Sequence, residues 1–404
     1  MAAVTVQVDL ADSSSFRAGF PHDEFQRLRE AGPLAWHPGT AASPDQEGFW
    51  VVSRHGDCAA VLRDPNRFSS ATGGTRVGGG TGLRDEHNAG VMLNMTDDPQ
   101  HRRLRSLISR GFTPRALEHL EGQLVNQVVT LLAALPADRP FDAMRALARP
   151  IPLATIAGLL GIPLRDASEL MDAIDAQQSG GQAQIIGREG RRRLRDYAQR
   201  LITERRTRPG TDIFSTIVHA RFPDDGSQLS DRELIAFFGL LFPAGAETTR
   251  SAIGSALYEF ARAPDLWHEL DTSAAGLRAA VEEVVRWSTP SIYKRRTVTT
   301  DCEWRGEQLK AGDKLTIWEL SANRDAEVFA EPFSFDPARW PNPHLGFGAG
   351  VHFCLGASLA RLELKVLLRV LKEHAVVLEP AGTPTHTASN RLLGYAALPL
   401  AVRG

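Results

Sequence analysis

Cysteine is scarce in this chain: its 404 residues include three, Cys58, Cys302 and Cys354. None has a partner at short spacing, which excludes a disulfide scaffold and a clustered zinc site. Net charge is lacking too. With 46 Lys and Arg against 48 Asp and Glu the formal charge is −2, so no general basic field invites nucleic acid or an anionic membrane. The most apolar run, LIAFFGLLFPAGA at 234–246, is shorter than the roughly 18–20 residues of a membrane span. The N-terminus shows no basic region followed by an apolar core, the pattern of a signal peptide. Repeats, low-complexity blocks and Pro/Ser-rich linkers are absent, which predicts one domain over 1–404, cytoplasmic and without an anchor. The glycine-rich run Gly73–Gly82 lacks the closing Lys-Ser/Thr of a phosphate-binding loop and reads as a mobile loop.

What is present is mostly helical periodicity. Apolar residues recur at three- and four-residue intervals from Asp97 to about Ala263, the mark of amphipathic helices. REGRRRLRDYAQRLITERR reads as a helix with a solvated basic face. A short helix (PHDEFQRLREAG) and a strand-like piece (GFWVVSR) precede this body. After Pro290 the chain alternates β-branched and polar residues, and one last helix follows Cys354. The expected class is mainly α with small β-sheets to one side.

Cys354 stands in FGAGVHFCLGASLARLELKVLLRVL. Glycines at 348 and 350 permit backbone shapes and close approaches that a Cβ would block. Gly356 marks the start of a helix whose positive end would lie near the sulfur. The spacing Phe347-Gly348-x-Gly350-x-His352-x-Cys354-x-Gly356 resembles the haem signature of the cytochromes P450. That resemblance implies a b-type haem held between a long central helix and the cysteine loop, with Cys354 as the axial iron ligand and Phe347 and Gly348 against the cofactor. It also implies a thiolate that pushes electron density toward O–O cleavage.

Other segments resemble further parts of the family in the same chain order. Glu283 and Arg286 in EEVVRW, with Arg339 in FDPARW, match its structural lock; Arg339 has the planar fork suited to a carboxylate. In TDDPQHRRLRSLISRGF, Asp98 is expected to cap a helix whose first residue is Pro99. His101, Arg105, Arg296 and His352 match the partners of the two haem propionates, although Arg295 beside Arg296 would exchange faces on a one-residue slip. Arg102, Arg103 and Arg110 could face an acidic redox partner. In AGAETT, Ala244 and Gly245 leave room against the helix, and Glu247 with Thr248 matches the acid–alcohol pair that serves oxygen activation. Thr248 is expected to turn its hydroxyl onto the preceding helical turn. Pro243 is expected to free the Gly239 carbonyl and bend the helix.

The family likeness implies a monooxygenase that uses O2, with NAD(P)H electrons delivered indirectly by a ferredoxin and its reductase, since no flavin or nicotinamide fingerprint is present. A monomer with a hydrophobic substrate is expected: a steroid, terpenoid, lipid or polyketide-like secondary metabolite. Segments that usually surround the distal face supply Met92, Leu93, Leu240, Leu241, Ser291, Ile292, Leu392 and Leu393 as candidate substrate contacts, each equally readable as core. Two other classes remain open at this level: a peroxide-driven peroxygenase, against which Glu247 and Thr248 argue, and a non-catalytic haem sensor.

Overall fold

The computed structural model of the protein describes residues 4–72, 76–178 and 187–403. Its strands begin with β1 (Val4–Thr5), β2 (Ala35–His37), β3 (Phe49–Val52), β4 (Phe68–Ser69) and β5 (Phe141–Asp142). Past the helical body come β6 (Lys294–Val298), β7 (Cys302–Trp304), β8 (Glu307–Leu309) and β9 (Lys314–Ile317). The last four are β10 (Leu378–Pro380), β11 (Thr385–His386), β12 (Tyr395–Ala397) and β13 (Pro399–Val402). The larger sheet runs in the order β1-β2-β3-β9-β6-β4, so strands from before and after the helical body meet where β3 pairs parallel with β9. β6 lies antiparallel to β9 with Arg295 opposite Thr316 and Arg296 opposite Leu315. Side chains alternate across a strand, so Lys294 and Arg296 share one face and Arg295 takes the other.

Two short helices, α1 (His22–Ala31) and α2 (His55–Leu62), flank this sheet. The helical body follows as α3 (Gln100–Ser106), α4 (Pro114–Leu117), α5 (Glu121–Ala133), α6 (Pro150–Leu160), α7 (Leu164–Gln178), α8 (Arg188–Thr207), α9 (Ile213–His219) and α10 (Asp231–Arg262). Then come α11 (Pro264–His268), α12 (Ala274–Ser288), α13 (Glu319–Ala322) and α14 (Ala357–Glu373). α10 starts at a reciprocal cap: the Ser230 hydroxyl accepts from the Glu233 N–H, and the Glu233 carboxylate accepts from the Ser230 N–H at 2.8 Å. Such a cap stabilises a helix start by about 1 kcal/mol. The first half of α10 buries Leu234, Phe237, Phe238, Leu241 and Phe242 against α6, α7 and α8, its second half Ile253, Ala256 and Leu257 against α12 and α14. At about 1.5–3 kcal/mol for each large apolar side chain, this helix is the axis of the core. Among the described residues no single helix is long and apolar enough to cross a membrane.

Two expectations need correction. α3 begins at Gln100 with Pro99 in the cap position, one residue later than read; Asp98 still accepts the Arg102 N–H at 3.1 Å. Residues 73–75 of the glycine-rich run lie outside the described residues; the remainder, 76–82, is pinned against the sheet. A Cβ on Gly79 would stand 1.6 Å from the Ala71 carbonyl oxygen. A ladder of alternating charge ties the segment to the sheet: Lys314–Glu47 at 2.7 Å, Glu47–Arg76 at 2.6 Å, Arg76–Asp85 at 3.1 Å and Asp85–Arg295 at 2.6 Å.

Candidate active site

Cys354 closes a loop that the backbone itself fastens. Gly348 and Gly350 hold φ of +71° and +69°, where a side chain is strained, and a Cβ on Gly350 would meet the Leu62 carbonyl oxygen at 2.5 Å. The Cys354 N–H donates to Phe347 O at 2.9 Å, and the Leu345 N–H donates to Asn323 Oδ1 at 2.7 Å. α14 begins at Ala357, three residues after Cys354, with Gly356 as its cap. The thiol is solvent-accessible but lies deep enough that burial pushes its pKa up; the Gly356 N–H and the cations of Lys294, Arg105 and Arg361 pull the other way. A thiol raised by burial needs a strong positive partner to become a thiolate, and a metal ion is such a partner.

Four of the predicted residues converge beside this loop. The rings of His101 and His352 lie 4.2 Å apart, and each has an Nε2 without a hydrogen-bond partner among the described residues. Burial lowers both, His352 to about 2 with the cations of Arg296 and Arg105 as further causes. Both imidazoles are therefore neutral at pH 7. Arg296 is buried and donates to the neighbouring Arg295 carbonyl at 3.0 Å. Arg295 takes the opposite strand face and meets Asp85 and the Gly82 carbonyl, so the two arginines are sorted by the register of β6. The Arg105 guanidinium donates to the loop carbonyls of Val351 at 3.3 Å and Phe353 at 2.7 Å, bracing the cysteine loop. Orphaned buried nitrogens beside two guanidinium groups suit a ligand with carboxylates, since unpaired polar groups in a core cost about 1–3 kcal/mol each. A haem with two propionates fits this donor set and the thiol beside it.

On α10, Ala244 is exposed although Pro243 and Phe242 before it are buried, so this turn borders open space. Thr248 Oγ1 donates to the Ala244 carbonyl at 2.9 Å, and Glu247 is buried. Leu355, next to the cysteine, packs into the same apolar cluster as Leu241 and Ala246. Gly245 corrects the reading: a Cβ there would stand 2.8 Å from Ile156 Cδ1, so its smallness lets α6 approach and does not make room for a ligand.

The Glu283–Arg286 pair of the lock is fully interior, with Arg339 at its edge. Arg286 Nη2 meets Glu283 Oε1 at 2.7 Å with both side chains at 0 % exposure, and Arg339 Nε lies 3.3 Å from Glu283 Oε2. Arg286 also donates to the carbonyls of Asn323, Pro332 and Ser334, tying the segment before the cysteine loop to α12. Of the candidate substrate contacts, Met92, Leu240, Ser291, Leu392 and Leu393 are half-buried, and Ser291 bridges Leu392. Leu93 and Leu241 sit in one apolar cluster, and Ile292 is fully buried against the N-terminal core; these three pack as core. Arg103 is turned onto the chain's own Asp224 and Asp225 and lies 3.5 Å over the Phe222 ring, which removes it from the partner-facing set; Arg102 and Arg110 remain exposed.

Several residues that shape the site went unread. Asp97 accepts from the Ser70 N–H and the Ser69 hydroxyl, Asn342 donates to Glu283 at 2.9 Å, and Glu319 pairs with Lys294. Glu363 is 1 % exposed on the inner face of α14; burial raises its carboxyl to about 8, with the Thr155 and Thr249 hydroxyls near enough to oppose the shift but no directed hydrogen bond to either oxygen. An acid on the apolar stripe of Leu359, Leu367 and Val370 was the visible signal.

Comparison with known proteins gives a consistent result. A family model described as Cytochrome P450 matches residues 183–273 and 276–399. A Mycobacterium tuberculosis protein named as cytochrome P450 126 is 42% identical over 98% of each chain. The steroid C26-monooxygenase of the same organism is 36% identical over 96% of this chain and 90% of its own. Among solved structures, Mycobacterium marinum cytochrome P450 CYP268A2 in complex with pseudoionone superposes with a TM-score of 0.86 at 31% identity, covering 99% of both chains.

Proposed function

Because this chain belongs to the cytochrome P450 family of monooxygenases, we propose that it oxidises a hydrophobic small molecule of the steroid, terpenoid or branched-lipid kind, with electrons from a ferredoxin and its reductase. The family's cofactor is haem b, with O2 as co-substrate and NAD(P)H acting through redox partners. When bound, haem supplies the activation of dioxygen and the transfer of one oxygen atom. The observation that carries the reading is the deep yet accessible Cys354 thiol at the start of α14, beside two orphaned histidine nitrogens.

In this reading Cys354 Sγ would hold the haem iron, and its loop is kept in place by Arg105 and Asn323. His101, Arg105, Arg296 and His352 would meet the two propionates: two guanidinium charges would balance two carboxylates, and two neutral imidazoles would donate N–H. Phe347, half-buried with the Arg361 guanidinium 4.5 Å over its ring, would pack against the cofactor beside Cys354. Above, the exposed Ala244 methyl leaves room. Thr248 rotates its hydroxyl from the Ala244 carbonyl into that space and passes a proton at Oγ1, with the Glu247 carboxyl next in the relay. Exposed Arg102 and Arg110, together with Phe353, 39 % exposed beside the ligand, form a face suited to an acidic ferredoxin.

The relative named as a steroid monooxygenase and the half-buried apolar contacts at Met92, Leu240, Leu392 and Leu393 support an apolar substrate. The test is a spectral titration of the ferric protein with steroids, terpenoids, branched fatty acids and aromatics, followed by turnover with NAD(P)H, ferredoxin and reductase. A low-to-high-spin shift and product formation with one of the first three classes is the expected result. Loss of the sulfur-ligated carbon monoxide spectrum should follow Cys354→Ser; if the spectrum survives that change, the site assignment is wrong.

A further inference from the structure

Lys294 and Glu319 form a buried ion pair that the reaction described above leaves unused. Lys294 Nζ lies 2.5 Å from Glu319 Oε1; the lysine side chain is 27 % exposed and the glutamate is fully buried. Glu319 Oε2 has no hydrogen-bond partner among the described residues. Its chain neighbours Tyr293 and Arg295 are buried, whereas the Lys294 side chain reaches accessible space. Strand alternation puts it on the face of Arg296, and the segment just before it, 290–293, pairs with 391–393.

The charges decide what it can take. Arg105 and Arg296 balance two haem carboxylates, and Lys294 is already balanced by Glu319. A substrate carboxylate would enter as an uncompensated buried charge, which costs several kcal/mol. A neutral acceptor has no such cost, and an ammonium has three N–H donors of which Glu319 Oε1 takes one.

We propose that Lys294, held by Glu319, is a specificity-determining residue of the substrate cavity that donates to a neutral carbonyl oxygen, ketone or ester, on an otherwise apolar substrate. This rests on the reading of an apolar substrate above the haem. Lys294 fixes where the carbonyl sits, and through it which carbon is presented to the reacting centre. Glu319 is a positioning residue that also sets the charge preference.

The probes are 1-alkylimidazoles with tethers of four to ten carbons ending in a methyl, a methyl ketone or a carboxylate. They are titrated into the holoenzyme by the Soret shift of nitrogen coordination. The imidazole anchors every probe on the iron, so the native substrate is not needed. At the best tether length the ketone should bind about tenfold tighter than the methyl, the worth of one charge-assisted hydrogen bond, and the carboxylate should bind no better than the ketone. Lys294→Met should erase the ketone preference while haem content, measured as pyridine haemochromogen, stays at the wild-type level. Glu319→Gln should turn the preference toward the carboxylate, because it leaves the ammonium unbalanced. The inference is overturned if Lys294→Met keeps the ketone preference, if the wild type favours the carboxylate, or if Lys294→Met loses haem with tail selectivity intact, which would assign the lysine to a propionate. Failure of plain imidazole to shift the Soret band would instead refute the haem reading itself.

Discussion

Replacing Glu363 by glutamine should make the protein more stable, increasingly so as pH rises. The carboxyl is 1 % exposed, and burial raises its pKa from 4.5 to about 8. The folded state therefore keeps it protonated where the unfolded chain ionises. The stability from this group is fully present below pH 4.5, is lost as pH climbs toward 8, and is constant above that. At 1.36 kcal/mol per unit, the loss amounts to about 3 kcal/mol at pH 7 and about 5 kcal/mol above pH 8. Glutamine fills the same volume and cannot ionise, so Glu363→Gln removes the pH-dependent part. Urea unfolding of wild type and variant holoprotein, at pH 5 and pH 8 with haem content matched, should show the stability gap widening by about 4 kcal/mol. A gap that does not change with pH would mean that Glu363 is ionised in the fold, and the account of an unpaired acid on the inner face of α14 would be refuted.

Glu283→Gln leaves Arg286 at zero exposure without its counter-charge and should cost about 3–5 kcal/mol, seen as a loss of soluble, haem-loaded protein; full haem content in the variant would contradict the lock. Gly245→Ala should destabilise by about 1–2 kcal/mol, since the clash with Ile156 exceeds the gain in helix propensity; adding Ile156→Ala should recover part of it, and thermal unfolding of the single and double variants decides. Thr248→Ala should leave the haem spectrum unchanged and lower product per NAD(P)H consumed by about 10²-fold, with hydrogen peroxide released instead; equal coupling in the variant would remove Thr248 from the relay.

The cysteine loop was legible because its requirements are local. Gly348 and Gly350 need positive φ, the thiol needs the residues on either side to turn it inward, and the helix after it needs an apolar stripe. The same holds for Ala244, the small residue on the open side of α10 before Glu247 and Thr248. Pairing across long separations was less legible. Glu-x-x-Arg recurs at several places in the chain, and its order among the other elements, not its spacing, singled out Glu283 and Arg286. Asn342 and the carbonyls of Asn323, Pro332 and Ser334 complete that site from elsewhere in the sequence.

By itself, then, the sequence determined the family, the axial cysteine and the helical class, since each is written in residue types at short fixed distances. Only the tertiary structure decided which face each neighbouring side chain takes. The register of β6 against β9 put Arg296 and Lys294 on one face and sent Arg295 on the other toward Asp85, and the crossing of α6 over α10 made Gly245 a packing residue. The glycine-rich run is held down by charges from four separate segments. Contacts of this kind depend on register and crossing angle, and a one-residue shift would reverse them without changing the composition of any segment.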